Sequence, residues 1–328
     1  MNILVRVILL ITLMCNSFTN VQANNIDETA PKAVEPEFSS LEPLHQLAIP
    51  ISTQPFYEKI LKFSEYFIGK PYDYTLGEKL ISWDQHRNQL ALLNLDTFDC
   101  ISYVEMVLAL SEIDPVPYDN KLFITMLTNN LMQLMFSSKD TNYCTRNHFM
   151  DTEWLKSNAN IIGINAFANL AYTKHKIALI DKAGLLNTQL HNYAKKYIPQ
   201  NQHINFFNKY QKPLEIMEPI NSAISYITFS DFLTHEKTLT KKLGNKIYLF
   251  VMIMDNPKML ELTKSEHNIA HVGFAFIRDN KIYLRHATSI GNQAVEEQLL
   301  SAIAVSKQKS NIFPGFTLFE IKNSNQNN

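Results

Sequence analysis

The chain has 328 residues, 46% of them hydrophobic and 19% charged, enough apolar material for one large core or two modest ones. A formal net charge of −1, with basic residues only in short pairs such as Lys195-Lys196 and Lys241-Lys242, argues against a nucleic acid or other polyanion as partner. Three cysteines are too few for a disulfide-built scaffold.

In chain order, Arg6, the apolar run 7–15 and Val21-Gln22-Ala23 form the charged, hydrophobic and small-residue pattern of an export leader, with cleavage expected after Ala23. The apolar run is too short to span a bilayer. Cys15 follows Met14, where lipid attachment needs a small residue, so no lipid anchor is expected. Residues 24–50 are polar and carry Pro31, Pro36, Pro43 and Pro50, which reads as a tether. A helix is expected over 55–68, then a loop through Pro71-Tyr72-Asp73-Tyr74 leading to a second helix that opens at Cys100.

The segment Asn94-Leu95-Asp96-Thr97-Phe98-Asp99-Cys100-Ile101-Ser102-Tyr103-Val104-Glu105 holds the first chemical signal. Asp99 is a good N-cap, and Ile101, Val104, Val107 and Leu108 repeat at helical spacing. Cys100 then lies in the first turn, where free backbone N–H groups and the helix dipole favour thiolate over thiol, the dipole by roughly 0.3–1 kcal/mol. A lone cysteine in this position is either a nucleophile or a small buried hydrophobe. Glu105 reads as a structural hydrogen-bonding partner. A further helix is expected over 118–136, followed by a mixed region 145–243 that contains a helix over 181–197. Cys144 reads as a buried hydrophobe, since pairing it with Cys100 would remove the thiol.

From residue 246 the pattern turns to strands, at 246–254, 271–278, 281–286 and 316–321. Asp279-Asn280 between two strand-like runs predicts a two-residue hairpin turn. In that register Gly273 faces His286 and His271 faces Thr288. The two histidines then become diagonal neighbours on one face, somewhat under about 7–8 Å apart at Cβ, with only a glycine opposite the second ring. A cysteine at a helix start, a histidine as base and a second polar group orienting that base make up a papain-like thiol hydrolase. In this scheme Cys100 attacks an amide carbonyl, His271 takes the thiol proton and His286 holds His271 in its tautomer. The oxyanion would meet the Cys100 N–H and a hydroxyl from Tyr72 or Tyr74, a donor worth roughly 3–4 kcal/mol, although plain core packing explains the tyrosines equally well. Arg146 pairs either with a substrate carboxylate or with Asp151 or Glu153. His148 and His267 lack the spacing or cysteine partner that a metal site with His271 would use, so neither metal nor cofactor is expected.

These residues resemble those of the NlpC/P60 superfamily of cell-wall cysteine hydrolases. Within it the chain is most similar to the branch known as domain of unknown function 1460, the N-acetylmuramoyl-L-alanine amidase-like proteins. The resemblance rests on Ile68-Gly69-Lys70-Pro71-Tyr72, the block 93–110, Arg146-Asn147-His148-Phe149 with Trp154, His271-Val272-Gly273-Phe274 and Arg285-His286-Ala287-Thr288-Ser289. Asp99-Cys100-Ile101-Ser102 departs from the superfamily's Asp-Cys-Ser-Gly, and its Gly-Asp is absent from Lys246-Ile247-Tyr248-Leu249-Phe250-Val251.

The resemblance implies an α+β, papain-like fold, its catalytic cysteine at a helix N-terminus packed on an antiparallel β-sheet, with a large insertion at about 145–243. The domain reading is a leader over 1–23, a tether over 24–50, a single hydrolase domain over 51–322 and a frayed tail over 323–328. The implied activity is hydrolysis of the amide between N-acetylmuramic acid, including its 1,6-anhydro form, and L-alanine in peptidoglycan fragments outside the cytoplasm. An endopeptidase acting between D-glutamate and a diamino acid is the alternative, and a non-catalytic muropeptide binder a third.

Overall fold

The computed structural model describes residues 38–74, 93–139, 141–307 and 312–323; the leader expected over 1–23 and the tail beyond 323 lie outside them. Helices α1 (Phe38–Ile51), α2 (Phe56–Tyr66), α3 (Cys100–Ser111) and α4 (Asn120–Met135) come first. Short helical turns then lead to β1 (Ile162–Asn165), β2 (Lys174–Ile180), α5 (Lys182–Tyr197), α6 (His203–Glu215) and β3 (Ile220–Thr228). The C-terminal part runs α7 (Phe229–Leu243), β4 (Ile247–Ile253), α8 (Lys258–Thr263), β5 (Ile269–Arg278), β6 (Lys281–Thr288), β7 (Gln293–Gln298), α9 (Leu299–Lys307) and β8 (Gly315–Ile321). The fold is therefore α+β, with every strand pairing antiparallel.

The strands form one sheet in the order β2-β3-β8-β4-β5-β6-β7, with β1 also pairing with β8. Every residue of β4 is buried, as the unbroken run Ile247-Tyr248-Leu249-Phe250-Val251-Met252-Ile253 requires of a strand covered on both faces. On one face Leu249, Val251, Val272 and Phe274 share a core with α1 to α4. On the other, Phe250, Ala275, Leu284 and Leu318 pack with Phe232 and Leu239 of α7 and Ile303 of α9. The region 145–243 is woven into this sheet through β1 and β3. A smaller cluster joins Cys144 to Leu186, Leu190 and Phe206 of α5 and α6, and neither Cys100 nor Cys144 is in a disulfide.

One expectation is corrected. The tether expected over 24–50 is helical from Phe38 onward. Leu41, Leu44, His45, Ala48 and Ile51 are buried at three- and four-residue spacing, while Pro43 and Pro50 lie on the exposed side. There the carbonyl that a proline leaves without a donor can meet water. Strand β7 and helix α9 were not anticipated, because Gln293-Ala294-Val295-Glu296-Glu297-Gln298 lacks an apolar alternation. Among the described residues, no helix is long and apolar enough to cross a membrane.

Candidate active site

Helix α3 begins where it does because Asp99 is extended (φ −92°) and its carboxylate accepts the Ser102 N–H at 2.7 Å, while Ser102 Oγ accepts the Asp99 N–H at 2.9 Å. This reciprocal cap fixes Cys100 as the first helical residue. The loop before it is stitched to the far edge of the sheet. Gly69, left-handed at φ 87°, donates to Ala294 O at 2.8 Å, and Ala294 N–H returns to Lys70 O at 2.8 Å. Tyr72 N–H bonds Asn292 O, and Phe98 N–H bonds Pro71 O. The segment Gly69-Lys70-Pro71-Tyr72 thus ties the approach to Cys100 to the start of β7.

The histidines arrive on the hairpin in the expected register. Asp279 and Asn280 both have positive φ (51° and 57°), the pair that a type I′ turn demands. The ladder runs from Arg278 opposite Lys281 to Phe274 opposite Arg285. In a two-residue hairpin the hydrogen-bonded pairs recur at every second residue, so Val272 would next bond to β6. The ladder stops short of that, and the Val272 N–H is instead among the backbone groups that favour a Cys100 thiolate. The thiol therefore sits where two strands part. A Cβ on Gly273 would stand 2.7 Å from both Arg285 O and His286 Cβ, so only glycine permits this approach.

His271 Nε2 lies 2.6 Å from His286 Nδ1, their rings edge to face at 4.8 Å between centroids. His286 Nε2 lies 3.0 Å from Glu297 Oε1, a contact that the sequence reading missed. Glu297 is on β7, where Val295 is the residue opposite His286, so the carboxylate is the diagonal neighbour of the ring. The signal available was the turn-forming Gly291-Asn292 followed by a carboxylate two residues beyond the partner of His286. Burial first, and the second histidine next, hold the His271 imidazole well below its usual protonation range, so it rests neutral.

The sulfur corrects a further expectation. Burial, and then the Asp99 charge, push the Cys100 thiol up to about 12, against backbone N–H groups of Val272, Cys100 and Ile101 that lower it. A rise from 9.0 to about 12 corresponds to about 4 kcal/mol, well above the roughly 0.3–1 kcal/mol of a helix dipole. Desolvation wins, and thiol and imidazole both rest uncharged.

Tyr72 packs edge to face on Tyr74 at 4.8 Å. Burial holds the Tyr72 phenol far above its usual range, with Cys100 the next cause, so Tyr72 presents a neutral O–H in the electrostatic reach of the sulfur. Tyr74 OH instead donates to Ser289 O at 3.3 Å. Arg146 is buried, with Nη1 unpartnered among the described residues. Its electrostatic neighbours are Glu105 and His148. Neither carboxylate expected for it is its partner: Glu153 pairs with Lys182, and Asp151 accepts from Asn268. Glu105 accepts the Trp154 indole N–H at 2.9 Å and, chiefly through burial, is raised to about 7, the structural role expected of it. The structure thus joins His271 to His286 and Glu297, sets Tyr72 and Val272 within reach of Cys100, and keeps Arg146 near the buried Glu105 and Trp154.

The fold has solved relatives at low sequence identity. A Legionella pneumophila protein of the domain-of-unknown-function 1460 family is 20% identical with a TM-score of 0.71, over 86% of this chain and 94% of its own. A Bacteroides uniformis N-acetylmuramoyl-L-alanine amidase is 17% identical with a TM-score of 0.52, over 81% of this chain and 99% of its own. A Bacteroides fragilis protein described as a putative xylanase is 16% identical with a TM-score of 0.52, over 79% and 99%. No curated protein matches the chain. Residues 62–310, well over half of the sequence, match the AmiA-like family, and the chain accordingly belongs to the N-acetylmuramoyl-L-alanine amidase-like proteins.

Proposed function

We propose that this protein is an exported thiol amidase of papain-like, NlpC/P60 type that hydrolyses the amide between N-acetylmuramic acid, including its 1,6-anhydro form, and L-alanine of peptidoglycan fragments. The observation that supports the reading is the Cys100 thiol within reach of the Val272 N–H, the residue after a neutral His271 that contacts His286. Family membership supplies the bond class, and the Bacteroides uniformis amidase shares the fold.

In the proposed reaction, His271 Nδ1, the ring nitrogen not engaged by His286, takes the thiol proton as sulfur attacks the carbonyl carbon. The carbon–sulfur bond forms and the carbonyl π pair moves to oxygen, which meets the Cys100 N–H and the Tyr72 hydroxyl. The carbon–nitrogen bond then breaks, the amine leaves with the proton from His271, and a thioester remains. Water, deprotonated by the same imidazole, releases the muramic acid carboxylate and restores the thiol. Two neutral partners suit this cycle, since the proton moves only when substrate is present.

The test is digestion of a defined anhydromuropeptide with the products read by mass. Free anhydro-N-acetylmuramic acid plus intact stem peptide is expected, and Cys100→Ala should release none. Cleavage within the peptide would replace the amidase reading by an endopeptidase, and full activity in the Cys100 variant would end the thiol mechanism. Export predicts a mature N-terminus near Asn24 in protein recovered outside the cytoplasm, which N-terminal sequencing reads directly.

A further inference from the structure

We infer that Glu297 is a positioning residue that sets the tautomers of both histidines, extending the Cys100–His271–His286 arrangement to a fourth member. The inference rests on the thiol-amidase reading for its catalytic meaning and on hydrogen-bond logic alone for its structural content. A carboxylate only accepts hydrogen bonds, so the 3.0 Å contact requires His286 to carry its proton on Nε2. With His286 in its neutral form the lone pair is at Nδ1, and the 2.6 Å contact is then an Nε2–H of His271 donating to it. His271 is left with its own lone pair on Nδ1, the form a base needs.

Each proton placement follows from the one before it, and the series begins at Glu297. Without a carboxylate, His286 is free to hold its proton on Nδ1 and donate it to His271 Nε2. That exchange moves the His271 proton to Nδ1, so the ring would present a donor where the thiol needs an acceptor. Glutamine does not substitute, because its amide can donate to His286 Nε2 as readily as accept from it.

The location supports a positioning role. Glu297 is partly exposed, whereas its neighbour Glu296 is held by Arg278 and Arg285. The two adjacent carboxylates on β7 thus have different work, Glu296 binding the strands together and Glu297 reaching a ring.

The test uses the full mature chain and reads imidazole nitrogens by two-bond ¹H–¹⁵N correlation, without substrate. The wild type should show both His271 and His286 protonated on Nε2. In Glu297→Gln and Glu297→Ala, His271 should gain an Nδ1-protonated population. In the muropeptide assay both variants should lose about 10–100-fold in kcat with KM little changed, the loss typical when the hydrogen-bond partner that orients a metal-bound histidine is removed. In a His286→Asn background, Glu297→Gln should change the rate by less than about twofold, because its effect runs through the missing ring. Unchanged nitrogen patterns in both variants, or the full rate loss persisting in the His286→Asn background, would overturn the inference. Shifted tautomers in a protein that cleaves no amide would support the positioning role while sinking the amidase reading.

Discussion

At Cys100 two effects with opposite signs act on one sulfur, and their sizes decide the resting state. The helix start and three backbone N–H groups favour the thiolate, but burial and Asp99 outweigh them. In the proposed mechanism the thiolate must then be generated by His271 at the moment of attack, which ties rate to the histidines. His271→Ala should reduce kcat/KM nearly as far as Cys100→Ala, because base and nucleophile act as a unit. His286→Asn can still accept from His271 and should retain measurable turnover; the two variants assayed side by side check the difference. The cysteine and both histidines were legible in the sequence because turn and cap chemistry are local: Asp99 before an apolar periodicity, Asp279-Asn280 between strands. The thiol's protonation was not, since burial is a property of the assembled core. Glu297 was hidden for a related reason, its role depending on a strand with no apolar alternation.

At the scale of elements, the β5–β6 hairpin is where register becomes chemistry. Arg285, next to His286, reaches the other way, its guanidinium donating to Ser64 Oγ at 3.0 Å and to Glu296 at 2.7 Å. Adjacent residues on β6 thus serve opposite faces, one anchoring the strand to α2 and the other carrying the ring. Gly273→Ala should push β5 and β6 apart, since backbone atoms at 2.7 Å cannot yield as a flexible side chain can. The expected outcome is a loss of activity of at least about tenfold at near-native fold content, as a displacement on the order of 1 Å is enough to disarm such a site; circular dichroism with the muropeptide assay checks it. The hairpin was readable because its turn residues demand positive φ. Helix α1 was not, because prolines argue against helices unless one knows that they face solvent.

For the whole molecule, buried ionisable groups set how stability follows pH. His148 and His267, each chiefly through burial, are lowered to about 3 and about 4, and His271 lies well below the ordinary imidazole value of about 6.5. Between those values and about 6.5 the unfolded chain binds protons that the folded chain refuses, so stability is lost as pH falls through this window. Glu105, raised from 4.5 to about 7, acts the other way, since the folded chain there keeps a proton that the unfolded one releases. Three histidines against one carboxyl leave the histidines in control, and Tm should fall from pH 7 to pH 5 in a thermal unfolding series. A Tm that rises on acidification would contradict the burial of these rings. The α+β class was visible in the change from helical to strand patterning near residue 246. That residues 145–243 join the same sheet was not, because pairing of β1 and β3 with β8 bridges from about 90 to 160 positions.

The tie from Gly69-Lys70-Pro71-Tyr72 to both Ala294 and Phe98 gives the site a collective dynamics. The amide protons of Gly69, Tyr72, Phe98 and Ala294 belong to one interlocked set, although they come from the two ends of the fold. Local opening that exposed any one of them would have to release its neighbours, so in deuterium exchange they should be protected alike and lose protection together on heating. The loop that leads to Cys100 and the strand that carries Glu297 would then breathe as one unit, or not at all.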